Sequence, residues 1–151
     1  MTTADAATFS GAKLAILTRG RILTLLRDDR PDIPWPGHWD LPGGGREGDE
    51  VPLACALRET REELSLIIDP GTVRWGQPFP GALPGQGAIW FFVLCDDRLD
   101  LSRIALGDEG QRWEAMPLAD YLSHPKAIGH MVRQLRVYLA GPDGTEERND
   151  S

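Results

Sequence analysis

The octapeptide Ala88–Cys95, AIWFFVLC, is apolar at every position. A strand with one face in water alternates apolar and polar residues, so a strand without alternation is covered on both faces. The chain must therefore supply two layers over this strand, and two segments have the pattern to do it. Glu50–Leu64 is rich in helix formers and poor in β-branched residues. Pro52 is compatible with that helix because the first turn leaves its N–H groups unpaired in any case. Pro125–Leu139 carries Ile128, Met131, Val132, Leu135 and Leu139 on one side of a second helix. Lys13–Thr18 and Arg21–Leu26, separated by Arg19-Gly20, predict a hairpin. His38–Leu41, Thr72–Trp75 and Leu101–Leu106 predict shorter strands. Pro31–Gly37 and Gly76–Gly87 read as loops, Asp69-Pro70-Gly71 as a turn, Trp113–Leu118 as the end of a loop and Leu118–Leu122 as a short helical turn. Helices and strands are interspersed without regular βαβ alternation, which predicts an α+β fold with a mixed sheet.

The length, 151 residues, suits one domain that folds without disulfides or structural metal. We place it at residues 12–140, with 1–11 and 141–151 as flexible ends. No apolar run reaches the length of a membrane span, and Met1–Ser10 lacks the basic start and apolar stretch of a secretion signal. Cys55 and Cys95 lie in apolar stretches and form no CxxC, the usage expected of buried thiols in a reducing compartment. A cytoplasmic protein with no membrane partner is the expectation. The formal charge is −7 and the pI about 4.9. That balance argues against a nucleic-acid polymer as partner, which calls for a basic stripe. It leaves room for small phosphate-bearing molecules, provided that divalent cations stand between the two sets of negative charge.

The unusual chemistry is concentrated in Leu41-Pro-Gly-Gly-Gly-Arg-Glu-Gly-Asp-Glu50 and the helix that follows it. Glu59, Glu62 and Glu63 stand at i, i+3 and i+4, on one helical face. Like charges at this spacing destabilise an isolated helix by a few tenths of a kcal/mol. They also lie towards the C-terminal half, where the helix dipole disfavours them. A hard dication with oxygen ligands, Mg²⁺ or Mn²⁺, is the natural neutraliser. Leu53, Leu57 and Leu64, with Thr60 among them, form the opposite face. Arg58 reaches Glu50 only if the intervening loop folds over the helix. Gly43–Gly45 frees the backbone for close approach to a ligand. By itself a Glu-rich helix is commonly a solvated face and a glycine run commonly a plain loop; the fixed spacing of the two is what gives them weight.

That spacing resembles the signature of the Nudix hydrolase (MutT-like) family, G-x5-E-x7-R-E-U-x-E-E-x-G-U with U a bulky apolar residue. Here it begins at Gly44, reaches Glu50 and then Arg58-Glu59, and continues through Glu62-Glu63 to Leu66. Trp39-Asp40-Leu41-Pro42-Gly43 is similar to the usual lead-in. Two positions depart: Thr60 replaces an apolar residue, and Ser65 the glycine that closes the helix. If Ser65 keeps a left-handed backbone, the exchange costs on the order of 1 kcal/mol. The resemblance implies a Nudix α/β/α sandwich and a metal-dependent hydrolase of a phosphoanhydride in nucleoside diphosphate-linked substrates. It further implies Glu59, Glu62 and Glu63 as metal ligands, the Gly43 carbonyl as a possible further one, and Glu50 with Arg58 as the supporting pair. A later loop often adds a carboxylate in this family, for which Glu109 is the first choice and Glu114 the second.

Trp35, Trp113, Arg27 and Arg46 are the candidate substrate contacts, the tryptophans for stacking on a base and the arginines for phosphate. Trp39 reads better as an anchor for the glycine loop and Trp90 as core. His38, His124 and His130 show no metal-ligand spacing. Cys55, near the carboxylate side of the helix, reads as a space filler. The expected partner is a small nucleotide, with the protein a monomer or a homodimer. A nucleoside triphosphate, ordinary or oxidised, cleaved to monophosphate and pyrophosphate is the first expectation. ADP-ribose, a nucleotide sugar or a dinucleotide is the alternative, suggested by Pro80 and Gln77-Pro78-Phe79-Pro80. A nucleotide sensor without turnover comes third.

Overall fold

The computed structural model describes residues 8–144. Its elements run β1 (Gly11–Thr18), β2 (Arg21–Leu26), β3 (Trp39–Asp40), β4 (Gly43–Gly45), α1 (Pro52–Leu64), β5 (Val73–Phe79), β6 (Ile89–Cys95), β7 (Arg112–Pro117), α2 (Leu118–Ser123) and α3 (Gly129–Ala140). The seven strands form one sheet in the order β3-β2-β1-β6-β5, with β4 added to β1 and β7 to β2. The β1–β6 pair is parallel and the others are antiparallel, so the sheet is mixed as expected.

The apolar run of β6 takes the central place its composition demands. Phe91 and Val93 face a cluster with Tyr121, Met131, Leu135 and Tyr138 from the C-terminal helices. Trp90, Phe92 and Leu94 face the other way, with Cys55, Ala56 and Leu64 of α1. Helices thus cover both faces of the sheet, giving the α/β/α sandwich.

The hairpin of β1 and β2 is paired only near its turn, at Leu17↔Ile22 and Thr18↔Arg21. Beyond that the strands part. The first residues of β1 pair with the glycines of β4, Ala12↔Gly44 and Lys13↔Gly43 among them. The far end of β2 pairs with β3, at Leu25↔Asp40 and Leu26↔Trp39. Residues 39–45 therefore sit as a wedge between two diverging strands, and the wedge carries the glycine loop to the start of α1.

Four expectations are corrected. Leu101–Leu106 is no strand: Leu101–Arg103 is a 3₁₀ turn whose Asp100 side chain accepts from Ser102 N at 3.1 Å. The backbone beyond it closes the end of α1, where Ala105 N donates to Leu64 O at 3.0 Å and Gly107 N to Glu63 O at 2.8 Å. These are carbonyls that the helix cannot pair internally. Gly76–Gly87 is not all loop, since β5 extends to Phe79. Pro78 is tolerated because β5 is an edge strand. Trp113–Leu118 is mostly strand: β7 pairs along the whole of β2, from Arg21↔Pro117 to Leu26↔Arg112. The last helix starts at Gly129 and not at Pro125, because the backbone before it is engaged with β3: Trp39 N donates to Lys126 O at 2.7 Å and Ile128 N to Trp39 O at 3.2 Å.

The packed region reaches further towards the N-terminus than residue 12. Phe9 is buried and Gly11 opens β1. The expected flexible ends fall mostly at residues 1–7 and 145–151, outside the described residues; Pro142–Gly144 forms a 3₁₀ turn. Among the described residues, no helix is long and apolar enough to cross a membrane.

Candidate active site

The face of α1 that meets the sheet is built from small residues. Cys55, Ala56 and Thr60 are fully buried, and this lets the helix axis approach β4. The Cys55 thiol donates to Gly44 O at 3.6 Å, and burial pushes its pKa up to about 12. It is a neutral space filler, as its position suggested. Thr60, placed where an apolar residue is usual, satisfies its hydroxyl on Ala56 O at 2.8 Å. Ser65 adopts the left-handed conformation, φ 57°, and donates its N–H to Arg61 O at 2.9 Å. The helix closure is kept without glycine.

Arg58 is the hub of the opposite side. Its Nε and Nη2 donate to the two oxygens of Glu50 at 3.1 and 2.9 Å, and Nη2 also donates to Gly45 O at 2.8 Å. The loop does fold over the helix, and Arg58 joins its two ends. Its Nη1 donates to Glu59 Oε1 and Glu62 Oε2, both at 3.0 Å. The guanidinium holds the Glu50 carboxyl down at about 2, while Glu50 raises the pKa of Arg58.

The three carboxylates of α1 differ in surroundings. Glu62 is about half exposed. Glu59 packs against Gly44, where a Cβ would lie 2.7 Å from its carboxyl carbon. Burial raises the pKa of Glu59, against the pull of Arg58. Glu63 accepts from Gly43 N at 2.7 Å. Burial lifts its pKa to about 7 even with Lys13 and that N–H acting to lower it.

Lys13 and Asp40 complete the site, and neither was singled out from the sequence. Lys13 Nζ donates to Asp40 Oδ2 at 3.0 Å and to the carbonyls of Leu41 and Gly43 at 3.2 Å. Arg27 Nη1 shares the same Asp40 oxygen at 3.2 Å, and Asp40 Oδ1 accepts from Leu41 N at 2.7 Å. The available signal was Lys13 itself, one of two lysines in the chain and a charge set inside an apolar strand.

Two adjoining clefts open beside these groups, with Arg27 and Asp40 in the walls of both. One, of about 190 Å³, runs past Lys13, Gly44, Trp35, His130 and Gln134. The other, of about 240 Å³, is bordered by Glu63, Asp28, Asp108 and Glu109. Glu109 therefore shares a cavity with Glu63. Its loop is held over β2 by Gly110 N donating to Asp28 Oδ2 at 3.4 Å and Gln111 Nε2 to Arg27 O at 2.8 Å. Glu114 is exposed on β7. Trp35 stands against His130 with ring centroids 4.9 Å apart. Trp113, opposite Leu25 on β7, packs half-buried on the α1-side cluster and lines neither cleft. The Arg46 guanidinium lies 4.5 Å over the Phe9 ring.

The donor set fits a hard dication. Three carboxylates share one helical face; Glu59 and Glu63 lie against the glycine loop, where the missing Cβ of Gly44 leaves room, and burial pushes both towards neutrality, while Glu62 stays half exposed. Among the described residues, no three Asp, Glu, His or Cys side chains converge closely enough to ligate an ion as they stand. The present partners of Glu59, Glu62 and Glu63 are a guanidinium and a backbone N–H, both hydrogen-bond donors.

Residues 10–135 match the NUDIX domain family. A curated relative, the RNA pyrophosphohydrolase of Gluconacetobacter diazotrophicus, is 34% identical over 89 residues, covering 48% of this chain and 53% of that protein. The chain thus spans about half the length of the curated relative it matches. Solved structures share the fold at lower identity. A bifunctional NMN adenylyltransferase/ADP ribose pyrophosphatase from Francisella tularensis, complexed with AMP and a Mn ion, aligns with a TM-score of 0.75 at 19% identity. That alignment covers 88% of this chain and 41% of the other. The NUDIX domain of Shewanella oneidensis NrtR, complexed with ADP ribose, aligns with a TM-score of 0.65 at 19% identity over 92% of this chain and 99% of its own. A glycine loop on β4, an Arg58 that ties Glu50 to the carboxylates of α1, and a family match across most of the described residues agree: the chain belongs to the Nudix family.

Proposed function

We propose that this protein is a divalent-metal-dependent hydrolase of a phosphoanhydride bond in nucleoside diphosphate-linked substrates. The observation that carries the reading is Glu63. It is a half-buried carboxylate turned onto the glycine loop, accepting from Gly43 N at 2.7 Å, on the same helical face as Glu59 and Glu62. A solvated acidic face would not turn a carboxylate onto a backbone donor. Glu59, Glu62 and Glu63 would hold the ions, with the Gly43 carbonyl beside them. Mg²⁺ or Mn²⁺ bound there supplies charge neutralisation of the phosphate oxygens and makes phosphorus more electrophilic.

The remaining work falls to the chain. Arg58, locked on Glu50, fixes the helix against the glycine loop so that the carboxylates keep their spacing. Arg27 in the shared wall of the two clefts presents a cation to the phosphate chain. Glu109, which borders the same cleft as Glu63, would take a proton from the attacking water. Trp35 forms an aromatic wall for the base. A nucleoside triphosphate is our first choice of substrate, cleaved to monophosphate and pyrophosphate. ADP-ribose or another two-part diphosphate is the second reading. It is favoured by a further hollow of about 330 Å³ that continues past Pro80 and Ala82 to Phe79 and Val137, and by the ADP-ribose and AMP complexes of the two structural neighbours.

The test is hydrolysis of nucleoside triphosphates, ADP-ribose, NADH and diadenosine polyphosphates with Mg²⁺ or Mn²⁺, with products identified to locate the broken bond. Glu62→Gln and Glu63→Gln should lower turnover by more than about a hundredfold, beyond what loss of an outer-shell partner typically costs. Cooperative thermal melting with the wild-type far-ultraviolet circular dichroism would show that the fold persists. Full metal-dependent activity in either variant would refute the ligand assignment.

A further inference from the structure

Gln134 is an anomaly in α3. Its neighbours on the inward face, Met131, Leu135 and Tyr138, are apolar and buried, and it is itself only 8% exposed. Its Oε1 is buried and accepts no hydrogen bond from any described residue. A buried acceptor without a donor is destabilising, and an apolar residue of similar length would avoid the cost. The side chain lines the cleft beside Trp35 and Gly44. His130, one helical turn earlier, lines the same cleft and packs on Trp35. Ile89 and Leu83 close the apolar side. The cleft therefore offers an aromatic wall, aliphatic lining and one unsatisfied amide, and the cations Lys13 and Arg27 line it too.

We propose that Gln134 is the specificity-determining residue of this cleft. Its carboxamide reads the edge of a nucleobase that presents an N–H donor beside an acceptor, while the phosphates extend towards Lys13 and Arg27. A carboxamide pairs with such an edge through two hydrogen bonds, one accepted at Oε1 and one donated by Nε2. The orphaned oxygen is satisfied only when the base is seated, so the cost of its burial is recovered on binding and lost for a ligand without the donor. The inference rests on the nucleotide-binding half of the proposed function, which it sharpens by assigning where the base sits.

The experiment titrates AMP, GMP, CMP, UMP and ribose 5-phosphate onto the full chain in Mg²⁺ by calorimetry. The wild type is set against Gln134→Met, which keeps the shape of the side chain, and Gln134→Glu, which keeps the acceptor and loses the donor. At least one mononucleotide should bind the wild type more tightly than ribose 5-phosphate. Gln134→Met should weaken that nucleotide by about ten- to hundredfold and leave ribose 5-phosphate unchanged; Gln134→Glu should reorder the panel. An unchanged order in both variants, or an equal loss for ribose 5-phosphate, would overturn the assignment. Base selectivity that depends on Gln134 without hydrolysis of any nucleotide would instead refute the enzyme reading and leave this one standing.

Discussion

Glu63 carries a stability consequence that can be separated from catalysis. Its pKa rises from 4.5 in the open chain to about 7 in the fold, with burial as the main cause. Between those values the folded protein keeps a proton that the unfolded chain releases, so stability without divalent ions falls as pH rises. The loss is absent below 4.5 and complete above 7, and amounts to about 3 kcal/mol. Glu59, raised by burial, acts in the same direction. Glu50, held near 2 by Arg58, acts in the opposite sense, its contribution being present above 4.5 and lost only towards pH 2. His130, lowered by burial, adds a slope of opposite sign that is common to wild type and variant. Urea unfolding at pH 5 and pH 8 in chelator should therefore show a smaller difference for Glu63→Gln than for the wild type. Equal pH slopes in the two proteins would mean that the buried proton is not on Glu63.

At the scale of elements, α1 departs from its family pattern at the closing residue, and the cost of the departure is measurable. Ser65 holds φ 57° where glycine is unstrained. Its hydroxyl recovers part of the cost by donating to Ala105 O at 3.1 Å. Ser65→Gly removes the strain and also that exposed bond, so it should stabilise by about 0.5–1 kcal/mol, read as a higher urea midpoint at unchanged slope. Destabilisation would mean that the Ala105 contact outweighs the backbone term. The same helix marks where sequence reading succeeds. The period of the carboxylates and the end of the helix at Leu64 are local signals, although its start falls at Pro52 and not at the expected Glu50, and β6 declares itself by lacking alternation. What stayed hidden depends on distant partners. Gly43–Gly45 is a strand only because the first residues of β1 lie open to pair with it. Half-exposed β7 alternates only over Arg112–Ala115, too short a run to declare a strand, and its extent is set by β2. Asp40 and Gln134 are ordinary residues in the chain and become unusual only when the clefts form around them.

For the molecule as a whole, the splayed hairpin is the feature on which the site depends, and Asp40 bridges the gap. One carboxylate oxygen receives Lys13 from β1 and Arg27 from the end of β2, while the other receives the Leu41 N–H within the wedge itself. The side chain of Asp40 is 8% exposed, and its partners are 17% and 27% exposed. Removing the anion would leave two cations facing each other across the opening with nothing between them. Breaking a buried pair from one side costs about 3–5 kcal/mol, and partial exposure of the cations sets Asp40→Asn towards the lower end. Asparagine keeps an acceptor for Leu41 N, so the local turn survives and the loss should register as opening of the wedge. Hydrogen exchange should then quicken at Gly43–Gly45 and at Leu14, whose N–H donates to Pro42 O in the wedge, while β6 and its parallel partner residues Ala15 and Leu17 stay protected. Uniform quickening across the sheet would mean that the bridge supports global stability alone. Quickening confined to the wedge would identify Asp40 as the group that holds the two strands at the separation the glycine loop requires.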